Sequence, residues 1–211
     1  MIPVKVCGLT RPQDALLAWE LGAAALGFVF HPSSPRAITA KGVAEIRRHL
    51  PAEAFCVGVF VNLSANEVNA LADEAGLSAV QLHGRETPEL CATIRLPIIK
   101  AIRADDENRL DQFKVAAFLL DASHPTLHGG TGLVADWTLA ARIAQRHPLV
   151  LAGGLKSDNV LEAARWVKPA ALDVCSGIEA APGVKDPLLL KDLLSKFPWK
   201  GGRPCLLPPP C

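Results

Sequence analysis

The sequence has no surplus of either charge, no long apolar run and no paired-cysteine motif. It contains 22 lysines and arginines against 21 aspartates and glutamates, a net charge of +1, so nothing suggests a nucleic-acid-binding surface or an acidic tail. No uncharged apolar run approaches the roughly eighteen residues of a membrane span. The start, MIPVKVCGLTRP, lacks the basic flank, apolar stretch and cleavage site of a signal peptide. We therefore expect no nucleic-acid partner, no membrane partner and no secretion.

The cysteines also lack the spacing of a metal site. The six of them show no CxxC pair and no zinc-like spacing to histidine; they stand at positions 7, 56, 91, 175, 205 and 211. Scattered free thiols are typical of a reducing cytoplasm. We expect a cytoplasmic protein that holds no metal.

What is present is one pattern repeated along the chain. Eight short apolar runs, rich in Val, Ile, Leu and Phe and without strict alternation, predict parallel strands covered on both faces. They span residues 3–7, 25–30, 55–61, 78–82, 97–102, 115–121, 148–152 and 170–174. Helical stretches lie between these runs. Their start signals are capping boxes at 10–13 and 64–67 and a cap before proline at Thr87 and Asp186, with stop signals at Gly22 and Gly76.

Eight successive β-then-α units predict a closed (β/α)8 TIM barrel over residues 1–199. An open doubly wound sheet is the alternative, but it usually has fewer strands and a GxGxxG first turn, whereas CGLTRPQD has one glycine. Residues 200–211, KGGRPCLLPPPC, contain four prolines. Because proline cannot extend a helix, we expect a flexible C-terminal tail there.

In such a barrel the chemistry collects at the C-terminal ends of the strands. The polar residues at or just past those ends include Cys7, Arg36, Gln81, His83 and Asp121. Each also has a structural interpretation: a core thiol, a turn former or helix cap, or a closed hydrogen-bond network. Their joint placement on one rim favours a functional interpretation.

Alternation along a strand adds a layer below this rim. Lys5 shares a face with Cys7, and Asp173 shares a face with Cys175. If that face is the barrel interior, Lys5 lies one layer below Cys7. A buried lysine needs a partner. Asp173 is the predicted one, because strand eight closes against strand one.

Glycines indicate a second part of the site. HGGTG (128–132), LAGGL (151–155) and CSGIEAAPG (175–183) follow strands six, seven and eight. Barrels commonly bind phosphate on bare backbone N–H groups of the last two of these loops. Ordinary tight turns are the alternative. We predict a phosphorylated small-molecule substrate, bound at Gly153, Gly154, Ser176 and Gly177.

Several segments resemble the phosphoribosylanthranilate isomerase family, in chain order from about residue 3 to residue 196. They are KVCG at 5–8, GFVF with SPR at 27–36, VGVFVN at 57–62, VQLHG at 80–84, LLDA at 119–122, GGTG with Asp136-Trp137, LAGGL at 151–155, and LDVCSGIE with PGVKD at 172–186. The resemblance implies a TIM barrel and the Amadori rearrangement of N-(5-phosphoribosyl)anthranilate in tryptophan biosynthesis. It implies no cofactor and no metal. Separately from the resemblance, we expect a monomer or a homodimer, which the sequence does not distinguish.

The resemblance also assigns roles to residues. It implies that Asp121 is the acid that protonates the ribose ring oxygen and that Cys7 is the base that removes the proton on C2. Arg36 suits the anthranilate carboxylate, which a guanidinium can grip through two hydrogen bonds. Gln81, His83 and Asp173 are placed among the substrate-binding residues.

The alternatives are two other barrel enzymes that act on ribose phosphates and a non-catalytic barrel that binds sugar phosphates. The related histidine-pathway isomerase uses an aspartate at the end of strand one, where this chain has Cys7. Indole-glycerol-phosphate synthase normally carries an extra segment before strand one, and this sequence starts within two residues of that strand. A non-catalytic sugar-phosphate-binding barrel would be expected to lose the acid or the base, and both Cys7 and Asp121 are present.

Overall fold

Eight parallel strands form a closed barrel in the computed structural model, which describes residues 2–121 and 134–198. Each strand pairs with the next in sequence, and β8 pairs with β1. The strands are β1 (Val4–Val6), β2 (Ala25–Val29), β3 (Cys56–Phe60), β4 (Ala79–Leu82), β5 (Ile98–Ile102), β6 (Ala117–Asp121), β7 (Leu149–Ala152) and β8 (Ala171–Val174). The predicted barrel is confirmed, and the open sheet is wrong.

Helices follow the strands around the outside of the barrel. They are α1 (Pro12–Glu20), α2 (Ala40–Arg47), α3 (Ala65–Ala75), α4 (Pro88–Cys91), α5 (Val134–Ala144), α6 (Val160–Val167) and α7 (Pro187–Ser195). A 3₁₀-helix, Ala104–Gln112, takes the place of an α-helix between β5 and β6. The predicted caps Ser64, Thr87 and Asp186 each accept backbone N–H groups of the first turn. Gly76 ends α3 in the left-handed conformation, at φ 63°.

The predicted capping box at Thr10 is wrong. Helix α1 begins at Pro12, so its N-cap is Arg11, which makes no side-chain capping bond. The proline occupies the first helical position, and Thr10 is left one residue outside the helix. Its hydroxyl donates instead to the Gly183 carbonyl at 2.5 Å, in the loop region after β8.

Two apolar clusters cover the outer and the inner face of the barrel sheet. The larger lies between strands and helices; the smaller fills the barrel interior with Ala25, Val57, Ala79, Ile99, Leu119, Val150 and Ala171 among its members. The interior side chains are mostly small, and this leaves room there for Lys5, which is fully buried. The interior layer therefore supports polar groups at the mouth rather than leaving an open pore.

After β8 the chain forms a short feature that was not predicted. A 3₁₀-turn, Ser176–Ile178, leads into an antiparallel hairpin of β9 (Glu179–Ala181) and β10 (Val184–Lys185). Gly183 turns this hairpin at φ 80°. Glu179 and Lys185 are thereby brought back over the end of β8. The glycine segment 128–132 and the predicted tail 200–211 lie outside the described residues.

Candidate active site

Lys5 lies at the bottom of the site, in the barrel interior. Its ammonium donates to Asp173 Oδ1 at 2.9 Å and to Gln81 Oε1 at 2.9 Å. Burial alone would lower the pKa of Lys5, but Asp173 and Cys7 outweigh burial and raise it. Lys5 is therefore a fixed positive charge at any physiological pH, with the partner that the strand alternation predicted.

Cys7 lies one layer higher, immediately after β1, with 7% of its surface exposed. Its backbone N–H donates to the Val174 carbonyl at 2.8 Å, which anchors it against β8. The neighbouring Cys175 thiol lowers the pKa of the Cys7 thiol, and the positive charge of Lys5 acts in the same direction. Burial and the charge of Asp173 oppose both, and the resulting pKa is about 7. Near neutral pH a substantial share of Cys7 is thus thiolate, the nucleophilic and basic form.

Gln81 and His83 extend the polar layer along β4. Gln81 is buried, and its amide nitrogen lies 2.8 Å from His83 Nδ1. Because the amide oxygen accepts from Lys5, the nitrogen donates and His83 Nδ1 accepts. Burial lowers the pKa of His83, which agrees with a neutral ring protonated on Nε2. Both ends of Gln81 are engaged within the protein.

Asp121 ends β6 and is half-buried. β7 and β8 separate its strand from β1, so Asp121 and Cys7 occupy different sectors of the same rim. The negative charge of Asp121 acts on His83, where it partly offsets the lowering of the His83 pKa by burial. An acidic group and a thiol thus flank the barrel mouth, as predicted.

Arg36 follows β2 and points at the hairpin after β8. Its Nε donates to Glu179 at 2.9 and 3.1 Å and its Nη2 at 2.5 Å. Lys185 Nζ is 2.9 Å from the same carboxylate, and the Gly183 N–H donates to it at 3.2 Å. Burial would raise the pKa of Glu179, but these two cations outweigh it and lower the pKa.

The glycine loops after β7 and β8 approach each other closely. Gly153 and Gly154 both have positive φ, 93° and 60°. A Cβ at Gly177 would lie 2.1 Å from the Leu155 carbonyl oxygen, so no other residue fits there without moving the backbone. The loops that carry the predicted phosphate-binding residues therefore meet side by side at the rim.

Within the described residues, the structure holds neither a metal-binding cluster nor a membrane-spanning helix. Over residues 2–121 and 134–198, no three His, Cys, Asp or Glu side chains are placed to hold a metal ion. No helix in that part of the chain is long and apolar enough to cross a bilayer.

Sequence reasoning missed three residues of the site: Cys175, Glu179 and Lys185. The sequence analysis placed Cys175 on the same face as Asp173 but did not relate it to Cys7. Glu179 and Lys185 lie on either side of the Pro182-Gly183 pair. A charge on each side of a Pro-Gly turn is a hairpin signal that could have indicated an ion pair.

The chain is similar to proteins of known name along almost its whole length. A family model described as N-(5′-phosphoribosyl)anthranilate (PRA) isomerase matches residues 4–196. The N-(5′-phosphoribosyl)anthranilate isomerase of Pelobacter propionicus is 48% identical over 197 residues, 92% of this chain and 94% of that protein.

Solved structures agree with this match. Monomers generated from the dimeric phosphoribosylanthranilate isomerase of Thermotoga maritima superpose with a TM-score of 0.81 at 38% identity, covering 92% of this chain and 97% of that one. A phosphoribosylanthranilate isomerase in complex with reduced 1-(o-carboxyphenylamino)-1-deoxyribulose 5-phosphate also gives 0.81, at 40% identity over 92% of this chain and 97% of that one. This chain therefore belongs to the N-(5′-phosphoribosyl)anthranilate isomerase family.

Proposed function

We propose that this chain rearranges N-(5-phosphoribosyl)anthranilate to 1-(2-carboxyphenylamino)-1-deoxyribulose 5-phosphate, with Cys7 as general base and Asp121 as general acid. Its family makes it an isomerase of tryptophan biosynthesis. The observation that carries the assignment of roles is Cys7 itself. It is a thiol with a pKa of about 7 at the barrel mouth, directly above a buried ammonium.

The reaction needs an acid and a base at two positions of one sugar. Protonation of the ribose ring oxygen, assigned to Asp121, opens the ring and leaves an imine at C1. Removal of the C2 proton by the Cys7 thiolate then gives an enolamine, which becomes the ketone product by tautomerisation. Groups in different sectors of the rim can address these positions without exchanging roles. General acid–base assistance of this kind contributes about 10²–10⁴-fold for each group.

The other rim residues bind the two charged ends of the substrate. Arg36 is assigned to the anthranilate carboxylate. Its guanidinium is already held in place by Glu179, so little side-chain freedom is lost on binding. Gly153, Gly154, Ser176 and Gly177 are assigned to the phosphate, whose oxygens can approach bare backbone N–H groups there. His83 and Asp173 line the sugar site, and Gln81 acts on it through Lys5 and His83.

Two wider properties accompany this function. We place the reaction in the cytoplasm, which the free cysteines Cys7, Cys56, Cys91 and Cys175 favour. The protein is a monomer or a homodimer, and sedimentation equilibrium separates these two states.

The test is turnover of N-(5-phosphoribosyl)anthranilate, followed by the fall in its anthranilate-type fluorescence. Cys7→Ser and Asp121→Asn are each expected to lower kcat by at least about a hundredfold, since a hydroxyl is a far weaker base and an amide cannot supply the proton. Cys91→Ser is the matched control, because Cys91 is buried on α4 away from the mouth. A kcat above about a tenth of the unmodified value in either variant would remove that residue's assigned role.

The pH profile of kcat/KM tests the base separately. A thiolate base requires activity to rise with pH through about 7, the pKa of Cys7. In Cys7→Ser this acidic limb should vanish from the residual activity, after contamination by unmodified protein has been excluded. An acidic limb that survives in Cys7→Ser would mean that another residue is the base.

A further inference from the structure

We propose that Glu179 is a positioning residue: it occupies one edge of the Arg36 guanidinium and so fixes which edge is free to bind the substrate carboxylate. This inference rests on the proposed function, in which Arg36 binds the anthranilate carboxylate. The orientation of Arg36 is, however, a property of the free protein. It can therefore be measured without substrate.

Glu179 occupies the edge of the guanidinium that is formed by Nε and Nη2. Arg36 Nε donates to Glu179 Oε1 at 2.9 Å and to Oε2 at 3.1 Å, and Nη2 donates to Oε2 at 2.5 Å. Among the described residues, none accepts a hydrogen bond from Arg36 Nη1. The end of the guanidinium, where one N–H of Nη1 lies beside the second N–H of Nη2, is thus left free. This fork matches the two oxygens of a carboxylate.

The carboxylate is the fixed partner in this pair, and the guanidinium is the one that is held. The Glu179 side chain is 4% exposed, against 22% for Arg36. Glu179 Oε1 also accepts from Lys185 Nζ at 2.9 Å and from the Gly183 N–H at 3.2 Å. Within the part of the chain that the structure describes, the guanidinium has hydrogen bonds to Glu179 alone. Loss of Glu179 therefore releases the guanidinium, whereas loss of the guanidinium leaves Glu179 with its other partners.

The hairpin that carries Glu179 is anchored to the start of the chain. The Lys185 N–H donates to Oδ2 of Asp14, a buried residue of α1, at 2.9 Å. The Thr10 hydroxyl donates to the Gly183 carbonyl at 2.5 Å. Neither bond involves the guanidinium. The position of the Glu179 carboxylate therefore does not depend on the group that it orients.

The stem of Arg36 is confined as well. A Cβ at Gly8 would lie 2.5 Å from Arg36 Cδ, which is closer than side-chain atoms approach each other, so the stem packs on bare backbone there. Gly8 has φ 72°, a conformation that favours glycine, and it directly follows Cys7. The arginine is thus held at its head by Glu179 and along its stem by the residue next to the assigned base.

Lys185 keeps this cluster attractive to an anion. Its side chain is 1% exposed, and its ammonium shares the Glu179 carboxylate with Arg36. Two positive side chains and one negative side chain leave a net positive charge, whereas Arg36 and Glu179 alone would cancel. The cluster therefore complements a ligand group with a single negative charge, as a carboxylate has.

The first measurement follows the Arg36 Nε–H resonance of the free protein by proton–nitrogen NMR, with the resonance assigned by its loss in Arg36→Met. In Glu179→Gln the side-chain amide keeps the shape but has one acceptor atom instead of two. The exchange of this N–H with water should become at least about tenfold faster. Glu107→Gln is the matched control, because Glu107 binds Nε and Nη2 of Arg142 in the same way on the exposed surface. It should leave the Arg36 resonance unchanged.

The second measurement is the KM and the kcat for N-(5-phosphoribosyl)anthranilate. Glu179→Gln should raise KM about three- to tenfold and change kcat by less than about twofold, because the released guanidinium must be ordered when substrate binds. In an Arg36→Met background, Glu179→Gln should raise KM no further, since the group that it positions is absent. A merely structural role would lower kcat and would add to the effect of Arg36→Met. Glu107→Gln should change neither constant.

A second variant covers the case in which Glu179→Gln does not fold, because that substitution leaves the buried Lys185 without its carboxylate. Glu179→Gln combined with Lys185→Met removes both buried charges and keeps the net charge of the cluster. The same faster exchange and the same rise in KM are expected of it.

The outcomes separate this inference from the proposed function. Unchanged Arg36 Nε–H exchange in whichever variant folds overturns the inference. A KM that rises in Arg36→Met but not in Glu179→Gln overturns it too, and so does a further rise when both substitutions are combined. If exchange becomes faster but Arg36→Met leaves KM unchanged, Glu179 orients Arg36 and the assignment of Arg36 to the substrate carboxylate fails.

Discussion

Two of the buried lysines that pair with a carboxylate at 2.9 Å, Lys5 and Lys100, serve different purposes in this barrel. Lys5 and Asp173 lie inside the barrel under the mouth, and Lys100 and Glu86 lie on the other side of the sheet, between β5 and the loop after β4. All four side chains are less than 9% exposed. The two ion pairs have the same N–O distance and similar burial. They differ in the other groups that each pair contacts.

The pair of Lys100 and Glu86 is closed. Lys100 also donates to the carbonyls of Gly84 at 2.9 Å and Ala101 at 2.8 Å. Glu86 accepts the backbone N–H groups of Asn62 and Gly84. Burial would raise the pKa of Glu86, but these bonds outweigh it and lower the pKa. The remaining hydrogen-bond partners of this pair are all backbone groups, so the pair ties the loops after β3 and β4 to β5.

The pair of Lys5 and Asp173 is open at the top. Besides Gln81, the pair is next to Cys7, a thiol whose pKa is about 7. The Lys5 ammonium therefore stabilises the thiolate form of Cys7 as well as the fold. The Lys5 pair therefore acts on a group at the barrel mouth, whereas the Lys100 pair is bonded to the backbone of loops.

The largest expected effect comes from removing each lysine. Lys5→Met and Lys100→Met should each lower the free energy of unfolding by about 3–5 kcal/mol, because each leaves a buried carboxylate without its cation. Only Lys5→Met should also lower kcat/KM at neutral pH, by about tenfold, because loss of the ammonium removes part of the lowering of the Cys7 pKa. Denaturant melts and steady-state kinetics check this. Equal losses of kcat/KM in the two variants would break the distinction between the pairs.

A smaller effect is expected at Arg36, on the open side of the site. Arg36→Met should raise KM roughly tenfold or more with little change in kcat, since a bidentate grip on a carboxylate exists before and during the reaction. The fold should survive, because Glu179 keeps Lys185 as its partner. Arg95→Met, at an exposed pair with Asp73, is the control. An unchanged KM in Arg36→Met would exclude Arg36 from carboxylate binding.

Gly177 should show a lesser effect on substrate binding. In Gly177→Ala the new Cβ meets the Leu155 carbonyl, so the loop must move and its N–H groups shift from the phosphate. We expect KM to rise about fivefold, the loss of roughly one hydrogen bond. In Gly42→Ala on α2 the new methyl meets the flexible Ile38 side chain and, at 3.4 Å, the Thr39 hydroxyl, and no backbone carbonyl is among its nearest atoms. Its KM should match that of the unmodified protein, and inorganic phosphate should inhibit Gly177→Ala more weakly than this control.

The smallest effect is a slope in stability between pH 7 and 9. Cys7 has a pKa of about 7 in the folded protein against an ordinary 9.0, so the unfolded chain binds more protons in that window. Stability should therefore rise with pH there, by about 1–2 kcal/mol, and Cys7→Ser should lack this part of the rise. The stability that Glu86 contributes is fully present above its ordinary pKa of 4.5 and is lost only as the pH falls below that value, so Glu86 adds no slope between pH 7 and 9. Parallel pH–stability curves for the two proteins would contradict the lowered Cys7 pKa.

Much of the fold is readable from the sequence because each βα unit carries its own local signals. Apolar runs predict all eight strands, and Ser64, Thr87 and Asp186 each cap the helix expected of them. Thr10 is the exception, because the proline at position 12 displaces the start of α1 by one residue. The site residues follow from the same periodicity, since the ends of parallel strands meet on one rim.

By itself, the sequence determined the order of strands, the layer of Lys5 beneath Cys7 and the partner Asp173, because strand alternation and barrel closure follow from periodicity. Only the tertiary structure decided the contact of Cys175 with Cys7, the hairpin that brings Glu179 to Arg36, and the closed set of acceptors around Lys100. These contacts join residues that are 168, 143 and 16 positions apart in the chain, respectively, and they depend on side-chain direction and loop path. Both properties are set by packing between elements, which no local pattern encodes.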